Sequence, residues 1–205
     1  MRRSHVERAL EAVPDFDAPD AAKEQYRTPP AVAAQFLWLA AEEGDIRGKR
    51  VLDLGCGTGM LAKGAAVLGA AEVFGVDVDA AAVAVARTSV PTGTFAVADV
   101  AAWLPPAVDT VLMNPPFGAQ RKGADRVFYQ RAAEAVAAAG GAVWFLQQPS
   151  NERFLTAFFA ELGLRVERAH VWDYPLEQRF AFHHHGVATV PVGLYVARPT
   201  RAGAA

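Results

Sequence analysis

The chain has 205 residues, 52% of them hydrophobic, with a single cysteine and 20 Lys+Arg against 22 Asp+Glu for a formal net charge of −2. That length buries a sizeable core in one domain without a disulfide or metal staple, and the lone Cys56 excludes a disulfide framework or a multi-cysteine zinc site. The balanced charge excludes a uniformly basic nucleic-acid coat and leaves room only for a local basic surface.

Taken in chain order, residues 1–28 are polar and carry Pro14 and Pro19, which predicts a short helix followed by an extended arm. An amphipathic helix opened by proline is expected from Pro29 to Glu43. The apolar run Ala31–Ala41 inside it is broken by Gln35 and is too short to span a bilayer. Because Met-Arg-Arg leads into charged residues, no secretory signal and a cytoplasmic location are expected. A repeating strand–helix pattern follows, with strands at Arg50–Leu54, Glu72–Val76, Thr94–Ala98, Val108–Met113 and Ala142–Leu146. Helices are expected at Thr58–Leu68, Ala80–Thr88, Asp125–Ala139 and from a cap at Ser150 to Leu162. Arg165–Trp172 and Val187–Val196 read as two closing strands with no helix between them. The fold class is α/β: a parallel sheet with helices on both faces, plus a terminal hairpin adding an antiparallel strand.

The sharpest local signal is Val51-Leu-Asp-Leu-Gly-Cys-Gly-Thr-Gly59, between a strand and a helix. Glycines 55, 57 and 59 let the backbone turn tightly and approach a ligand closely. A nicotinamide-type G-x-G-x-x-G would need glycine at position 60, where Met60 stands, so a pyrophosphate seat is disfavoured. Asp53 at the strand end suits a cationic amino-acid group. Asp77, ending Phe74-Gly-Val-Asp, is placed to accept ribose hydroxyls, with Val78 next to it. Asp99 and the adjacent Val100 amide would read an adenine edge, although an acid after a strand also caps turns. A zwitterionic end, a ribose diol and an adenine together describe S-adenosyl-L-methionine.

The fourth strand ends in Asn114-Pro115-Pro116-Phe117, at the carboxyl edge where such sheets bind ligands. The prolines stiffen the loop and lack donors, leaving the Asn114 amide oxygen and the Pro115 carbonyl as acceptors for an exocyclic amino group. Two such bonds aim the nitrogen lone pair at a methyl donor, and Phe117 offers a ring on which a planar base stacks. A rigid turn is the blander account of the same residues. Cys56 lies in the glycine loop rather than the substrate loop and reads as a packing residue, as do Phe154, Phe158 and Phe159. His183-His184-His185 are consecutive and poorly spaced for one ion, so no metal is expected.

With these residues in hand, the chain resembles the methyltransferase-like 5 family of small-subunit rRNA adenine-N6 methyltransferases over residues 20 to 197. Glu24-Gln-Tyr-Arg-Thr-Pro29, Asn114-Pro-Pro-Phe-Gly118 with Lys122-Gly-Ala-Asp125, and Tyr174-Pro-Leu176 with Phe182-His183 carry the likeness beyond the general motifs. The resemblance implies a Rossmann-like class I methyltransferase with seven strands in the order 3-2-1-4-5-7-6, the seventh antiparallel. It implies one domain over 1–205, in which 1–45 close over the cofactor and 46–199 form the catalytic core. Gln25, Tyr26 and Thr28 would close over S-adenosylmethionine, and Gly55, Gly57, Thr58, Gly59, Met60, Asp77, Asp99 and Val100 would contact it. Arg121, Lys122, Phe182 and His183 would meet RNA, with Arg126, Arg179, His184 and His185 as further charge. The family's basic run after the histidine is here His184-His185, which makes that charge depend on pH. A small zinc-containing activator subunit of the tRNA methyltransferase 112 type is also implied, giving a heterodimer. The short apolar edge strand 94–98 is the place for it.

Competing readings are glutamine-N5 methylation of a release factor and DNA adenine methylation. The first resembles enzymes with an added N-terminal helical domain, and the second normally needs a sequence-reading domain. A scaffold without activity is the non-enzymatic alternative, and cofactor binding discriminates it.

Overall fold

A computed structural model of the chain describes residues 1–20, 24–117, 123–175 and 189–200. Helices α1 (Arg3–Glu11) and α2 (Pro30–Glu42) precede β1 (Arg50–Leu54), α3 (Met60–Val67), β2 (Glu72–Asp77), α4 (Ala80–Ser89) and β3 (Thr94–Val97). Then come β4 (Thr110–Met113), α5 (Asp125–Ala137), β5 (Ala142–Gln147), α6 (Glu152–Glu161), β6 (Leu164–Pro175) and β7 (Thr189–Pro199). The sheet has seven strands in the order β3-β2-β1-β4-β5-β7-β6. Strands β1 to β5 pair in parallel, and β7 runs antiparallel to both β5 and β6. This is the strand order that the family resemblance implies.

The central strands show why. β4 (Thr-Val-Leu-Met) and β5 (Ala-Val-Trp-Phe-Leu-Gln) are buried at every position, as strands covered on both faces must be. Alternate residues feed two cores. Leu112, Trp144 and Leu194 join Leu10, Phe36, Leu37 and Leu61 under α1, α2 and α3. Val111, Met113, Phe145 and Tyr195 join Tyr129 and Phe159 under α5 and α6.

Most boundaries shift by one or two residues from the sequence expectation, β4 beginning at Thr110 and α5 ending at Ala137, and three differences have a local cause. α3 begins at Met60 rather than Thr58, because Gly59 precedes it at φ 89°, a left-handed conformation that cannot continue a helix. Ser150 does not cap α6: it sits in a short 3-10 turn over 149–151, and Asn151 takes the cap position without a side-chain bond. The hairpin is longer than expected, pairing Leu164 with Pro199 and Pro175 with Thr189. Pro191 is tolerated in β7 because β5 reaches only from Gly193 onward, so β7 has a single neighbour there. Among the described residues, no helix is long and apolar enough to cross a membrane.

Candidate methyl-transfer site

The strand order reverses at β1, whose neighbours are β2 on one side and β4 on the other. The carboxyl ends of β1, β2 and β4 therefore face one crevice, the usual ligand position in an open α/β sheet. Each end carries one of the motifs singled out in the sequence.

At β1, Gly55 and Gly57 adopt φ values of 78° and 50°, where a side chain is strained. Space excludes a side chain too. A Cβ on Gly55 would lie 2.9 Å from the Phe128 ring, and one on Gly57 would lie 2.8 Å from the Phe16 ring. The Gly55 and Cys56 amides both donate to the Val76 carbonyl, at 2.9 and 3.0 Å, which locks the loop to β2. Thr58 and Met60 are buried in it. Cys56 is buried as well, and burial pushes its thiol well above the ordinary range, which suits a packing residue and not a nucleophile.

Asp53 is 1% exposed and accepts a 2.8 Å hydrogen bond from the Ala62 amide in the first turn of α3. Desolvation raises its pKa to about 7, helped by the nearby Asp77 charge and opposed by the Ala62 bond. Asp77 accepts from the Gly57 amide with one oxygen and from the Asp79 amide with the other, at 2.8 and 2.9 Å. Burial raises its pKa as well. Asp99 is held beside Asp77, because the Ala98 amide donates to the Asp77 carbonyl at 2.9 Å. Its own carboxylate accepts from the Ala101 amide at 2.8 Å, an Asx turn that places the buried Val100 below it. Val78 is 54% exposed at the mouth.

At β4, the Asn114 amide nitrogen donates to the Thr28 hydroxyl at 3.0 Å, and Thr28 is buried. The Asn114 Oδ1 is buried and has no partner among the described residues. Pro115 and Pro116 follow, and the Phe117 amide donates to Glu24 Oε2 at 2.7 Å. The Phe117 ring meets Tyr26 edge-on, with centroids 6.1 Å apart. Gln25 reaches the other wall, donating to Asp79 Oδ2 at 2.8 Å. Thus Gln25, Tyr26 and Thr28 all sit at the crevice, beside Asp79, Phe117 and Asn114 respectively.

Behind the loop, the fully buried Gln147 donates to Asp125 and Tyr129, at 3.2 and 2.9 Å, pinning the start of α5 to the end of β5. Desolvation raises both the Asp125 and Tyr129 pKa values. Arg126 lies with its guanidinium 5.1 Å above the Phe154 ring. Arg121, Lys122, Arg179, Phe182 and His183–His185, expected to face RNA, lie outside the described residues.

Sequence reasoning gave no role to Phe16, Phe128, Glu24 or Gln147. Phe16 and Phe128 act through tertiary packing against glycines, which leaves no local pattern. For Glu24 a signal existed: Glu24, Tyr26 and Thr28 alternate in a segment bracketed by Pro19 and Pro29.

Comparison with known proteins agrees with this geometry. The methyltransferase small domain family matches residues 32–168. The rRNA N(6)-adenosine-methyltransferase Mettl5 of Drosophila melanogaster is 34% identical over 195 residues, 89% of this chain and 90% of its own. The Danio rerio protein of the same name is 30% identical, covering 98% of this chain and 100% of its own. A candidate RNA methyltransferase from Pyrococcus horikoshii superposes with a TM-score of 0.86 at 35% identity, over 98% of both chains. A conserved architecture, a glycine loop and an Asn-Pro-Pro-Phe loop on adjoining strands, and these relatives lead to one conclusion: the chain belongs to the methyltransferase small domain family and, within it, to the methyltransferase-like 5 family.

Proposed function

We propose that the protein methylates N6 of an adenosine in small-subunit rRNA, using S-adenosylmethionine. The observation that carries this reading is Asn114. Thr28 takes up the side-chain nitrogen of Asn114, so Oδ1 is fixed and buried at the end of β4, with no partner among the described residues. A buried acceptor without a donor costs free energy until a ligand supplies one. An exocyclic amino group is such a donor, and the Pro115 carbonyl beside it accepts the second hydrogen. The nitrogen is thereby held with its lone pair free, which is positioning and needs no base before transfer; the N–C bond forms as the C–S bond breaks, and the proton made acidic by methylation then leaves to water. Phe117 stacks on the ring of a base brought out of its helix.

The residues present fit the cofactor. The glycine loop turns with positive φ at Gly55, Gly57 and Gly59, directly beside the Asp77 carboxylate that accepts from the Gly57 amide. Each Asp77 oxygen accepts one backbone N–H and keeps a lone pair for a ribose hydroxyl. S-adenosylmethionine supplies an electrophilic methyl on a sulfonium, whose departure requires no acid. Asp53, Gly55–Met60, Asp77, Val78, Asp99 and Val100 would hold it, with residues 1–45 closing over it and 46–199 forming the core. Relatives named as rRNA N(6)-adenosine-methyltransferases support the choice of RNA and base. A small zinc-containing activator subunit of the tRNA methyltransferase 112 type would pair with β3. Val97, 46% exposed, ends that edge strand.

The test is labelled methyl transfer to undermethylated small-subunit rRNA in the presence of the activator subunit, followed by nucleoside mass spectrometry. Label is expected in N6-methyladenosine. Asn114→Ala is expected to lower kcat by about 100–1,000-fold, as loss of an oriented transition-state contact does. Label in N5-methylglutamine of a release factor, or in duplex DNA, would replace this reading.

A further inference from the structure

The segment from Glu24 to Thr28 crosses the mouth of the crevice with alternating reach. Glu24, Tyr26 and Thr28 contact the Asn114–Phe117 loop, through the Phe117 amide, the Phe117 ring and the Asn114 side chain. Gln25 and Arg27 turn the opposite way. Gln25 bonds Asp79 beyond β2, and Arg27 donates to the carbonyls of Leu10 and Glu11, at 3.0 and 3.2 Å, at the end of α1. Since β2 and β4 flank β1, two consecutive residues, Glu24 and Gln25, bridge the glycine loop from wall to wall.

The Glu24 bond falls where the loop most needs holding. Pro115 and Pro116 have no N–H, so the Phe117 amide is the first backbone donor after Asn114 by which the loop can be tied. A carboxylate acceptor at 2.7 Å is a short, charge-assisted tie. Glu24 also adopts φ 53°, the only positive value outside glycine among the described residues. Such a conformation costs about 1–2 kcal/mol and persists where surrounding contacts fix it.

We propose that Glu24 is a positioning residue for methyl transfer: its carboxylate, bonded to the Phe117 amide, sets the Asn114–Phe117 loop and links it through Gln25 to the cofactor side of the crevice. This rests on the methyl-transfer reading above. Glu24 touches neither donor nor base, and its effect passes through Phe117 and Asn114.

Two substitutions separate the carboxylate from the backbone. Glu24→Gln keeps an acceptor oxygen, whereas Glu24→Gly removes it and relieves the positive φ. In Glu24→Gly, kcat on rRNA is expected to fall on the order of ten- to a hundredfold, the loss that misplacement by an ångström brings. Its KM for RNA and its Kd for S-adenosylmethionine by calorimetry are expected within about threefold of the parent, so the loss lies in the step after binding. Hydrogen exchange at the Phe117 amide is expected to speed up by about tenfold or more. Glu24→Gln is expected to stay within about threefold on every count. Parental kcat and parental exchange in Glu24→Gly would overturn the proposal. So would equal losses of cofactor affinity and thermal stability in both variants, which would make Glu24 merely structural. If the unsubstituted protein labels no RNA, the functional reading falls, and amide exchange alone then decides the tie between Glu24 and Phe117.

Discussion

The carboxyl of Asp53 stands at the end of β1, out of water, with the Ala62 amide as its hydrogen-bond donor. Burial raises its pKa from 3.8 to about 7. A raised folded-state pKa means the folded protein binds more protons than the unfolded chain between those values. The Asp53 contribution to stability is therefore complete below about pH 3.8 and is lost as pH rises through about 7. Asp53→Asn keeps an acceptor for Ala62 without a charge to bury. Between pH 5 and pH 8, the unsubstituted protein is expected to lose on the order of 1–3 kcal/mol more stability than Asp53→Asn, measured by urea unfolding without cofactor. Asp77 and Asp125 shift in the same direction, so some slope remains in the variant. An identical slope in both proteins would mean that Asp53 stays ionised throughout. At this scale the sequence was informative wherever chemistry forces a residue type. Bare backbone needs glycine at 55 and 57, and an acceptor on a proline-stiffened loop needs Asn114. It was silent on Phe16 and Phe128, whose rings matter only because the fold brings them against those glycines.

Among the elements, the antiparallel β7 is the one that departs from the alternating pattern, and Asp45 holds it in place. The Asp45 carboxylate accepts from Trp144 Nε1 on β5 at 2.7 Å and from both terminal nitrogens of Arg198 on β7, at 3.1 and 2.6 Å. Its carbonyl accepts from the Thr110 hydroxyl on β4 at 2.6 Å. One loop residue thus joins three neighbouring strands at the end of the sheet opposite the crevice. Asp45→Ala would strand the buried Trp144 N–H and break a bidentate pair, a cost of about 2–3 kcal/mol in urea unfolding. Glu43, 3.7 Å from Arg198 and exposed, is the control: Glu43→Ala is expected to change stability by less than about 0.5 kcal/mol. Equal effects from the two would show that the Arg198 charge, not the Trp144 bond, matters. The elements themselves were legible in the sequence because strand and helix periods differ and the central strands are continuously apolar. Their ends were not. Gly59 ends the loop before α3 because its backbone is left-handed, which no residue pattern marks, and the hairpin runs past its apolar stretch because backbone pairing continues through Asp173 and Pro191.

The whole sheet has two outer edges, β3 and β6, and they are guarded differently. β6 carries Arg165 paired with Glu167, Arg168 paired with Glu152 of α6, and a register shift between Arg168 and His170. Charges and bulges of this kind discourage another strand from adding. β3 reads Thr-Phe-Ala-Val, with no charged residue of its own; Arg87 of α4 donates to its Phe95 carbonyl at 2.8 Å, and its last residue, Val97, opposite Asp77, is exposed. With a net charge of −2, the chain holds RNA through a local surface and not through a general excess of positive charge. The uncharged edge β3 is where the proposed activator subunit would add a strand. Val97→Lys places a charge at that edge, whereas Val171→Lys does the same on the exposed face of β6. Val97→Lys is expected to weaken binding of the activator subunit by about tenfold or more in calorimetry, equivalent to about 1.4 kcal/mol. Val171→Lys should bind as the parent does, and both should unfold within about 0.5 kcal/mol of it, as surface substitutions usually do. The reverse result, with Val171→Lys impaired and Val97→Lys intact, would move the partner to the opposite edge of the sheet. There the strand it meets is the far half of the hairpin, away from the β1–β4 crevice.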